Sequence, residues 1–332
     1  MSNDRRDFFK KVAGAAATLA AVDAVGGPRG AAPTPEAAVG AGRRGFVGGR
    51  VALELEGAIA GFIHSTEGGD ATADVVEEAD ESCAPRKHLG NVRYEEIQIS
   101  CGTGMSAAFY QWLQSVPSCD LTRKSGAILA ADFNFKEIAR LAFTNALITE
   151  FGMPALDAAS KDPALMTVRF APESTQRQKG SGQTITPCGT VKQKKWLASN
   201  FRLTIDGLDC KKVNAVDAIT IKQAAPQRER GRLEIPNLVV TLAESGAQSF
   251  FDWHQDFVIN GNNGSENEKN GMLEYLTPNL AETLFTITFQ HLGIFKLAPE
   301  KVEAGSENIR RIKAEMYCQQ MAFKFGPGAA GC

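Results

Sequence analysis

The stretch Phe109–Gln114, FYQWLQ, recurs 141 positions later as Phe250–Gln255, FFDWHQ. Upstream of it, the stretch Val51–Gly57, VALELEG, is matched 150 positions later by Phe201–Gly207, FRLTIDG. The motifs follow the same order in both halves of the chain, and a small drift in spacing is typical of loop insertions between repeats. The sequence therefore predicts a duplicated scaffold whose matching positions are apolar and aromatic rather than catalytic.

Hydrophobic periodicity predicts the elements of each repeat. Val51, Leu53 and Leu55 alternate with less apolar residues, which predicts a half-buried strand, and its counterpart in the second repeat is Phe201–Ile205. Residues 105–116 place apolar side chains, including Phe109 and Trp112, at helical spacing, so we expect a helix with this face in the core. A second stripe predicts an equivalent helix: Phe250, Trp253, Phe257 and Val258.

Each repeat thus contains a strand, a long loop, a strand, a single helix and several further strands. This order predicts a mainly β or α+β fold, with two tandem antiparallel β-sandwich or barrel-like domains that each carry one packed α-helix. The predicted boundaries are 49–172 for the first domain, 173–198 for a linker, 199–325 for the second domain and 326–332 for a tail.

Composition restricts the class of protein. The 332 residues are 43% hydrophobic and 22% charged, which is typical of a soluble globular protein with room for two cores. The net charge of -2 does not attract polyanions, so we expect no specific nucleic-acid site. Because no apolar run reaches the ~20 residues that span a bilayer, we expect no transmembrane anchor.

Motifs of cofactor, metal and catalytic sites are missing from the sequence. It contains no Cys-x-x-Cys, and its four histidines have no metal-ligand spacing. It also lacks a Gly-x-Ser-x-Gly elbow, a phosphate loop and a His-Glu-x-x-His motif. We therefore expect no cofactor, no metal and no enzymatic activity, and the pairing of the seven cysteines stays open.

The first residues resemble a twin-arginine signal peptide. Paired arginines precede two aromatic residues and a lysine: Arg5, Arg6, Phe8, Phe9 and Lys10. A weakly apolar stretch follows, so residues 1–32 are the predicted signal and residues 33–48 a flexible tether. The resemblance implies the twin-arginine translocase as a partner and a periplasmic, cell-surface or extracellular location. The alternative is a chance Arg-Arg pair ahead of an Ala-rich tail.

The order of the features behind this signal resembles the tail tube protein family of contractile phage tails and related injection systems. The matching positions are scaffold positions: Leu89-Gly90, Tyr94, Ile97, Ile99, Gly102, Phe109, Trp112, Leu113, Gly126–Leu129 and Arg140–Ala146. The resemblance covers residues 50–172 well and residues 200–320 more loosely.

This resemblance implies that each domain supplies one sixth of a ring in which the sheets of neighbouring units join into a barrel. Three chains would then form a pseudo-hexamer, because head-to-tail contacts close into rings when the rotation permits. The implied function is that of a structural subunit that binds copies of itself and forms rings or tubes after export. The alternative is a monomeric periplasmic binding module of the same fold, which would blunt its sheet edges.

The long loops of the two repeats carry opposite charges. The first is expected to be an exposed acidic loop with seven carboxylates: Glu67, Asp70, Asp74, Glu77, Glu78, Asp80 and Glu81. Its counterpart carries three arginines: Arg228, Arg230 and Arg232. These residues form a candidate interface, since opposite charges at equivalent positions favour pairing between subunits or stacked rings. The alternative is that both loops are merely solvated.

Overall fold

The computed structural model describes residues 49–78, 86–118, 120–186, 196–224, 233–301 and 309–326. All of them belong to one compact unit, Phe46–Cys332. Its strand pairs are antiparallel, and strands far outnumber helical turns, which confirms the mainly β, α+β fold class. The predicted signal and tether lie outside the described residues.

The elements of the first half, in chain order, are β1 (Arg50–Leu55), β2 (Ala58–Ile63), β3 (Ser65–Gly68), β4 (Ala71–Glu78), β5 (Arg86–Tyr94), β6 (Ile97–Cys101), α1 (Ala107–Ser115), β7 (Arg123–Ala131), β8 (Glu137–Met153), β9 (Leu156–Asp157), β10 (Met166–Ala171) and β11 (Ser174–Lys179).

The elements of the second half are β12 (Phe201–Ile205), β13 (Val213–Val216), β14 (Ile219–Gln223), β15 (Leu233–Glu234), β16 (Leu238–Ala243), α2 (Gln248–His254), β17 (Lys269–Leu276), β18 (Thr283–Pro299) and β19 (Arg311–Phe325). Short helical turns at Glu244–Gly246, Gln255–Ile259 and Ser265–Asn267 complete this half.

Two large sheets share a strand order. The first runs β2-β1-β7-β8-β10-β6-β3, with β11 and β14 also paired to β8 and with β15 paired to β14. The second runs β12-β17-β18-β19-β16-β13-β9. The order β1-β7-β8-β10-β6 in the first sheet therefore corresponds to β12-β17-β18-β19-β16 in the second, while β4 and β5 form a separate two-stranded hairpin.

The register of the two sheets corresponds as well. Phe170 of β10 pairs with Ile148 of β8, and Met316 of β19 pairs with Ile294 of β18. Each residue of the second pair lies 146 positions after its counterpart in the first pair. A register shift lies beside each of these pairs. The two long strands, β8 and β18, therefore have the same position and the same irregularity in their sheets.

Helix α1 is built as its apolar stripe predicts. The Ser106 hydroxyl caps it by accepting the Phe109 backbone N–H at 3.3 Å. Phe109 and Trp112 are buried, and the Trp112 indole N–H donates to the Thr122 carbonyl at 2.9 Å. A buried indole keeps its apolar ring in the core only if its N–H has such a partner.

Helix α2 departs from its predicted stripe at one position. Phe250, Trp253 and Phe257 are buried, but Val258 is 38% exposed. After His254 the helix widens into a π turn over Gln255–Ile259. A wider turn changes the angle between successive side chains, so the 3.6-residue period that placed Val258 on the buried face no longer holds there.

The two halves share one core. The ring of Tyr110 in α1 lies 5.8 Å from that of Phe285 and 4.6 Å from that of Phe325, both in the second half. Phe151 of β8 lies 5.0 Å from Phe323 of β19. One hydrophobic cluster accordingly contains buried residues from both sequence repeats.

Two segments have more structure than predicted. The described part of the acidic segment, residues 67–78, is exposed as expected, but it forms β3 and β4 rather than a loop. Its Thr and Val residues favour extended backbone, and β5 supplies a partner strand. Within the predicted linker, residues 174–179 form β11 and pair with Ala139–Thr144 of β8, because that edge of β8 offers backbone donors and acceptors to a nearby chain.

Candidate assembly interface

The hairpin β4–β5 carries described members of the predicted acidic interface. Two cross-strand ion pairs neutralise part of its negative charge: Glu77–Lys87 at 2.6 Å and Asp74–Arg93. Glu78 also lies 3.9 Å from the His88 Nδ1. Exposed pairs of this kind contribute little stability, about 0–1 kcal/mol each. Part of the acidic charge is thus committed to the hairpin itself.

Apolar side chains of the same hairpin face solvent. Val75 is 61% exposed, Leu89 73% and Val92 59%. Single exposed apolar residues are ordinary, but several on one projecting hairpin form a surface suited to burial against a partner.

The remaining predicted interface residues are only partly described. Glu67 lies exposed in β3, and Asp70 forms an ion pair with Arg177 at the end of the first sheet. Outside the described residues lie Asp80, Glu81, Arg228, Arg230 and Arg232, together with the export motif Arg5, Arg6, Phe8, Phe9 and Lys10. Pairing between the acidic and basic segments stays a prediction.

A strand of the second half crosses into the first sheet and forms a seam within the chain. β14 pairs antiparallel with the end of β8, with Ile219 opposite Met153 and Ile221 opposite Phe151. All four side chains are buried. β14 is not among the predicted strands, although Ile219 and Ile221 alternate with polar residues, which is the pattern of a half-buried strand.

The seam has a second contact in the opposite direction. β9, which follows β8, pairs with β13 of the second sheet, with Ala215 opposite Asp157 and Val216 opposite Leu156. The second half therefore adds β14 and β15 to the first sheet, and the first half adds β9 to the second sheet.

The hairpin β14–β15 occupies the place in the second half that β4–β5 has in the first. Val216 of β13 pairs with Val240 of β16, and Thr66 of β3 pairs with Ile99 of β6. β13 therefore corresponds to β3, since β16 corresponds to β6. The next strand along the chain is β14 in one half and β4 in the other. The two hairpins differ in their outer partners. β14 also pairs with β8, whereas β4 pairs with β5 alone among the described strands.

The end of β18 has an open edge. Thr283–Leu292 pair with β17, but the segment Phe295–Pro299 pairs only with β19 among the described strands. The corresponding residues of β8 are Thr149–Met153, of which Glu150–Met153 pair with β14 in the seam. Phe295 is 42% exposed. An open edge of this kind presents unpaired backbone groups to another strand.

A cleft of about 710 Å³ lies beside the seam. Charged and polar side chains line it, among them Glu150, Arg169, Lys222 and Gln223. Gln223 is only 3% exposed, and among the described residues neither its amide nitrogen nor its amide oxygen has a hydrogen-bond partner. A buried amide without partners is costly, so this cleft is a candidate binding site.

Within the part of the chain that the structure describes, no group of His, Cys, Asp and Glu side chains is arranged to hold a metal ion. Cys101, Cys210 and Cys318 are free thiols, and burial raises the pKa of Cys101 to about 12, so it stays protonated and unreactive. No helix in the same residues combines the length and the apolar character needed to cross a membrane.

One family model matches a segment of the first half. Residues 52–176 match the family model of the T4-like virus tail tube protein gp19. The match runs from within β1 to within β11, and it agrees with the range 50–172 for which the sequence resembles tail tube proteins. No curated protein shows significant similarity to the chain.

Solved structures with low similarity were also found. The cap of the anti-feeding prophage, a tube-terminating cap, is 20% identical over 40% of this chain and 89% of its own, with a TM-score of 0.35. A chain of the PVC extracellular contractile injection system sheath–tube complex is 20% identical over 39% of this chain and 88% of its own, at 0.35. Hcp1 from Flavobacterium johnsoniae is 19% identical over 38% of this chain and 96% of its own, at 0.29.

At these TM-scores the solved structures carry no argument about the fold, and the family model matches less than half of the chain. Over residues 52–176, this chain is similar to the tail tube proteins of T4-like viruses, and a tail tube family is the one that the comparison supports.

Proposed function

We propose that this chain is a non-enzymatic structural subunit with two tail-tube-like units in tandem, residues 49–172 and 199–325, that assembles with copies of itself into rings or tubes. The shared strand order of the two large sheets carries the proposal: the family match covers the strands β1, β6, β7, β8 and β10 of the first sheet, and the second sheet has five strands in the corresponding order. Proteins of that family are structural rather than enzymatic, which fits this role.

The corresponding registers support a tandem duplication. β8 and β18 are the long strands of their sheets, and their pairings with β10 and β19 shift together by 146 positions. Unrelated antiparallel sheets have no reason to share both an order of five strands and the position of an irregularity, since bulges are specific to families.

Three chains per ring follow from two units per chain. If six units close a ring, three chains provide them, with a seam inside each chain alternating with a contact between chains. Contacts of this head-to-tail kind close when the rotation between units permits.

Assembly is proposed to take place after export in the periplasm, at the cell surface or outside the cell. The twin-arginine motif at residues 5–10 supports this location. Replacing both Arg5 and Arg6 by Lys should hold the chain in the cytoplasm, and fractionation of the producing cells measures it. Unchanged export of the double variant would remove the twin-arginine route.

Size-exclusion chromatography with light scattering on the full-length chain, followed by negative-stain microscopy, tests the structural role. We expect rings or tubes with three chains in each layer. A monomer over a wide concentration range would contradict assembly of the chain by itself.

That outcome would favour the second candidate, a monomeric binding module of the same fold. The cleft beside the seam supports it, since the buried amide of Gln223 has no partner within the described residues. Binding of a small polar ligand to the monomer, lost on Gln223→Leu, would distinguish this function from a tube subunit.

A further inference from the structure

The seam within the chain joins two strand edges, and the structure contains an unpaired counterpart of each edge among the described strands. In the seam, β14 of the second half covers the end of β8. The position equivalent to the end of β8 is Phe295–Pro299 in β18, which no described strand covers on that side. The element equivalent to β14 is the start of β4, whose outer edge is likewise unpaired among the described strands.

We propose that the open edge of β18, Phe295–Pro299, binds the start of the β4–β5 hairpin of a second copy of this chain, so that the seam within one chain is repeated between chains. This inference rests on the proposed ring and assigns its contact surfaces. The offsets that relate the halves also assign the register: Thr72 of the second copy lies opposite Lys296, as Lys222 lies opposite Glu150 in the seam.

Residues in the seam are buried, whereas their counterparts at the proposed contact are more exposed, as expected for a surface that a second copy would cover. In the seam, Ile221 is 3% exposed and Phe151 1%. Their counterparts are Ala71, which is exposed, and Leu297, which is only partly buried. The residue types stay small or apolar at all four positions, so a strand pairing there would bury them again.

The hairpins show the same difference. Leu233 of β15 packs against the hydrophobic core, whereas its counterpart in β5, Val92, is 59% exposed. Val75 and Leu89 are exposed on the same hairpin. Exposed apolar residues on a hairpin with an unpaired strand edge favour aggregation unless a partner covers them. The surface that matches this hairpin is the open edge Phe295–Pro299 of a second copy.

The contact is head-to-tail. The open edge and the hairpin are different surfaces, so each copy offers one of each and binds two neighbours. Backbone pairing supplies the affinity, and the alternate side chains set the register, as in strand addition to an exposed sheet edge.

Disulfide cross-linking of the full-length chain tests the register. Residues directly opposite in antiparallel strands have Cα atoms about 4.5–5.5 Å apart, within the range of about 4.4–6.8 Å that a disulfide spans. Thr72 and Lys296 are both exposed, so Thr72→Cys and Lys296→Cys should not disturb the core. Under mild oxidation, we expect the double variant to give covalent species of up to three chains on a non-reducing gel.

Matched controls separate this result from the native cysteines. A mixture of the two single variants should give only two-chain species, and each single variant alone should give none. The pair Phe133→Cys and Lys296→Cys places one cysteine at an exposed residue of the β7–β8 turn and should not cross-link. Equal cross-linking of that pair would overturn the assigned contact.

Light scattering on the same samples distinguishes two failures. Rings of native size without the Thr72–Lys296 cross-link would overturn this contact and leave the proposed function standing. Monomers without a cross-link would overturn both.

A second variant tests the edge without cysteines. Phe295→Asp places a charge on the open edge and should shift the chain from rings to monomers while the thermal unfolding midpoint stays near that of the parent. Phe133→Asp, at a residue that is 67% exposed, should leave the rings intact. Rings of unchanged size with Phe295→Asp would overturn the proposed edge.

Discussion

Asn145 in β8 and His291 in β18 lie 146 positions apart, and both have left-handed backbone conformations, with φ of 47° and 57°. Asn145 lies at the bulge where β8 changes register against β7, and His291 at the bulge where β18 changes register against β17. A bulge bends its strand and turns the remainder in a new direction. In β8 the remainder meets β14, and in β18 it is the open edge.

This conformation predicts an unusual order of stabilities at His291. A β-branched residue is strained in the left-handed region by about 1–2 kcal/mol, while glycine is not. We expect His291→Val to be less stable than His291→Gly by about that amount in urea unfolding. Both variants lose the contact of the imidazole Nδ1 with Glu268 Oε2 at 2.9 Å, so the comparison isolates the backbone. Equal stabilities would contradict a left-handed residue here.

Gly126 lies where β7 passes β1 too closely for a side chain. A Cβ atom there would lie 2.0 Å from the Glu54 carbonyl oxygen and 2.9 Å from the Phe143 ring. Because β1 would have to move, Gly126→Ala should destabilise the protein by about 1–3 kcal/mol. Gly102→Ala is the matched control, since nothing lies within 4 Å of its Cβ position. Thermal unfolding of both variants checks this, and similar losses in the two would refute it.

A buried ion pair predicts pH dependence. Arg140 Nε donates to Glu137 Oε1 at 2.7 Å, and Glu137 is 5% exposed. This hydrogen bond from Arg140 lowers the pKa of Glu137 below its ordinary value of 4.5. Because the folded-state pKa is the lower one, the pair stabilises the fold above the unfolded-state pKa, and the stabilisation is lost as the pH falls through the folded-state pKa.

We therefore expect Glu137→Gln to cost about 1–3 kcal/mol at pH 7 and progressively less below pH 4.5. Urea unfolding of the parent and the variant at several pH values between 7 and 3 measures this. A difference in unfolding free energy that does not change with pH would show that the loss comes from packing alone.

Charge reversal tests the candidate interface between the acidic and basic segments. Replacing Arg228, Arg230 and Arg232 by Glu should reduce assembly if these residues meet the acidic hairpin of another subunit. Adding Glu67→Lys and Glu78→Lys to that variant should restore part of it. Particle size by light scattering at low and high salt is the readout. Assembly that no reversal changes would mean that both segments are solvated.

Local periodicity predicted the strands and helices whose conformation follows from the pattern of their own residues. β12 is observed with the predicted bounds, Phe201–Ile205, because its alternating residues match a half-buried strand. α1 follows from apolar residues that fit one helical face, and Pro117, which comes soon after its last residue, cannot continue a helix. The prediction of a loop for the acidic segment was wrong, because its charges indicate exposure but do not reveal that β5 supplies a partner strand.

The candidate site depended on pairings between distant residues. Ile219 and Ile221 alternate with polar residues, yet only the fold reveals that their partners are Met153 and Phe151. The same holds for β11, a polar stretch that is a strand because β8 offers it an edge. Strand pairing is a contact between backbones, so its specificity is carried by position in the sheet more than by residue type.

The sequence by itself predicted two corresponding halves, determined the mainly β fold class and the buried face of α1, and gave the resemblance of the first half to tail tube proteins. These properties follow from residue periodicity and from the repeat, which are local in the chain. Tertiary structure alone decided that the halves share a core, that β14 seals one long strand, and that the end of the other is open. Those features depend on which strand edges remain unpaired once the sheets have formed. No local pattern of residues determines which edges these are.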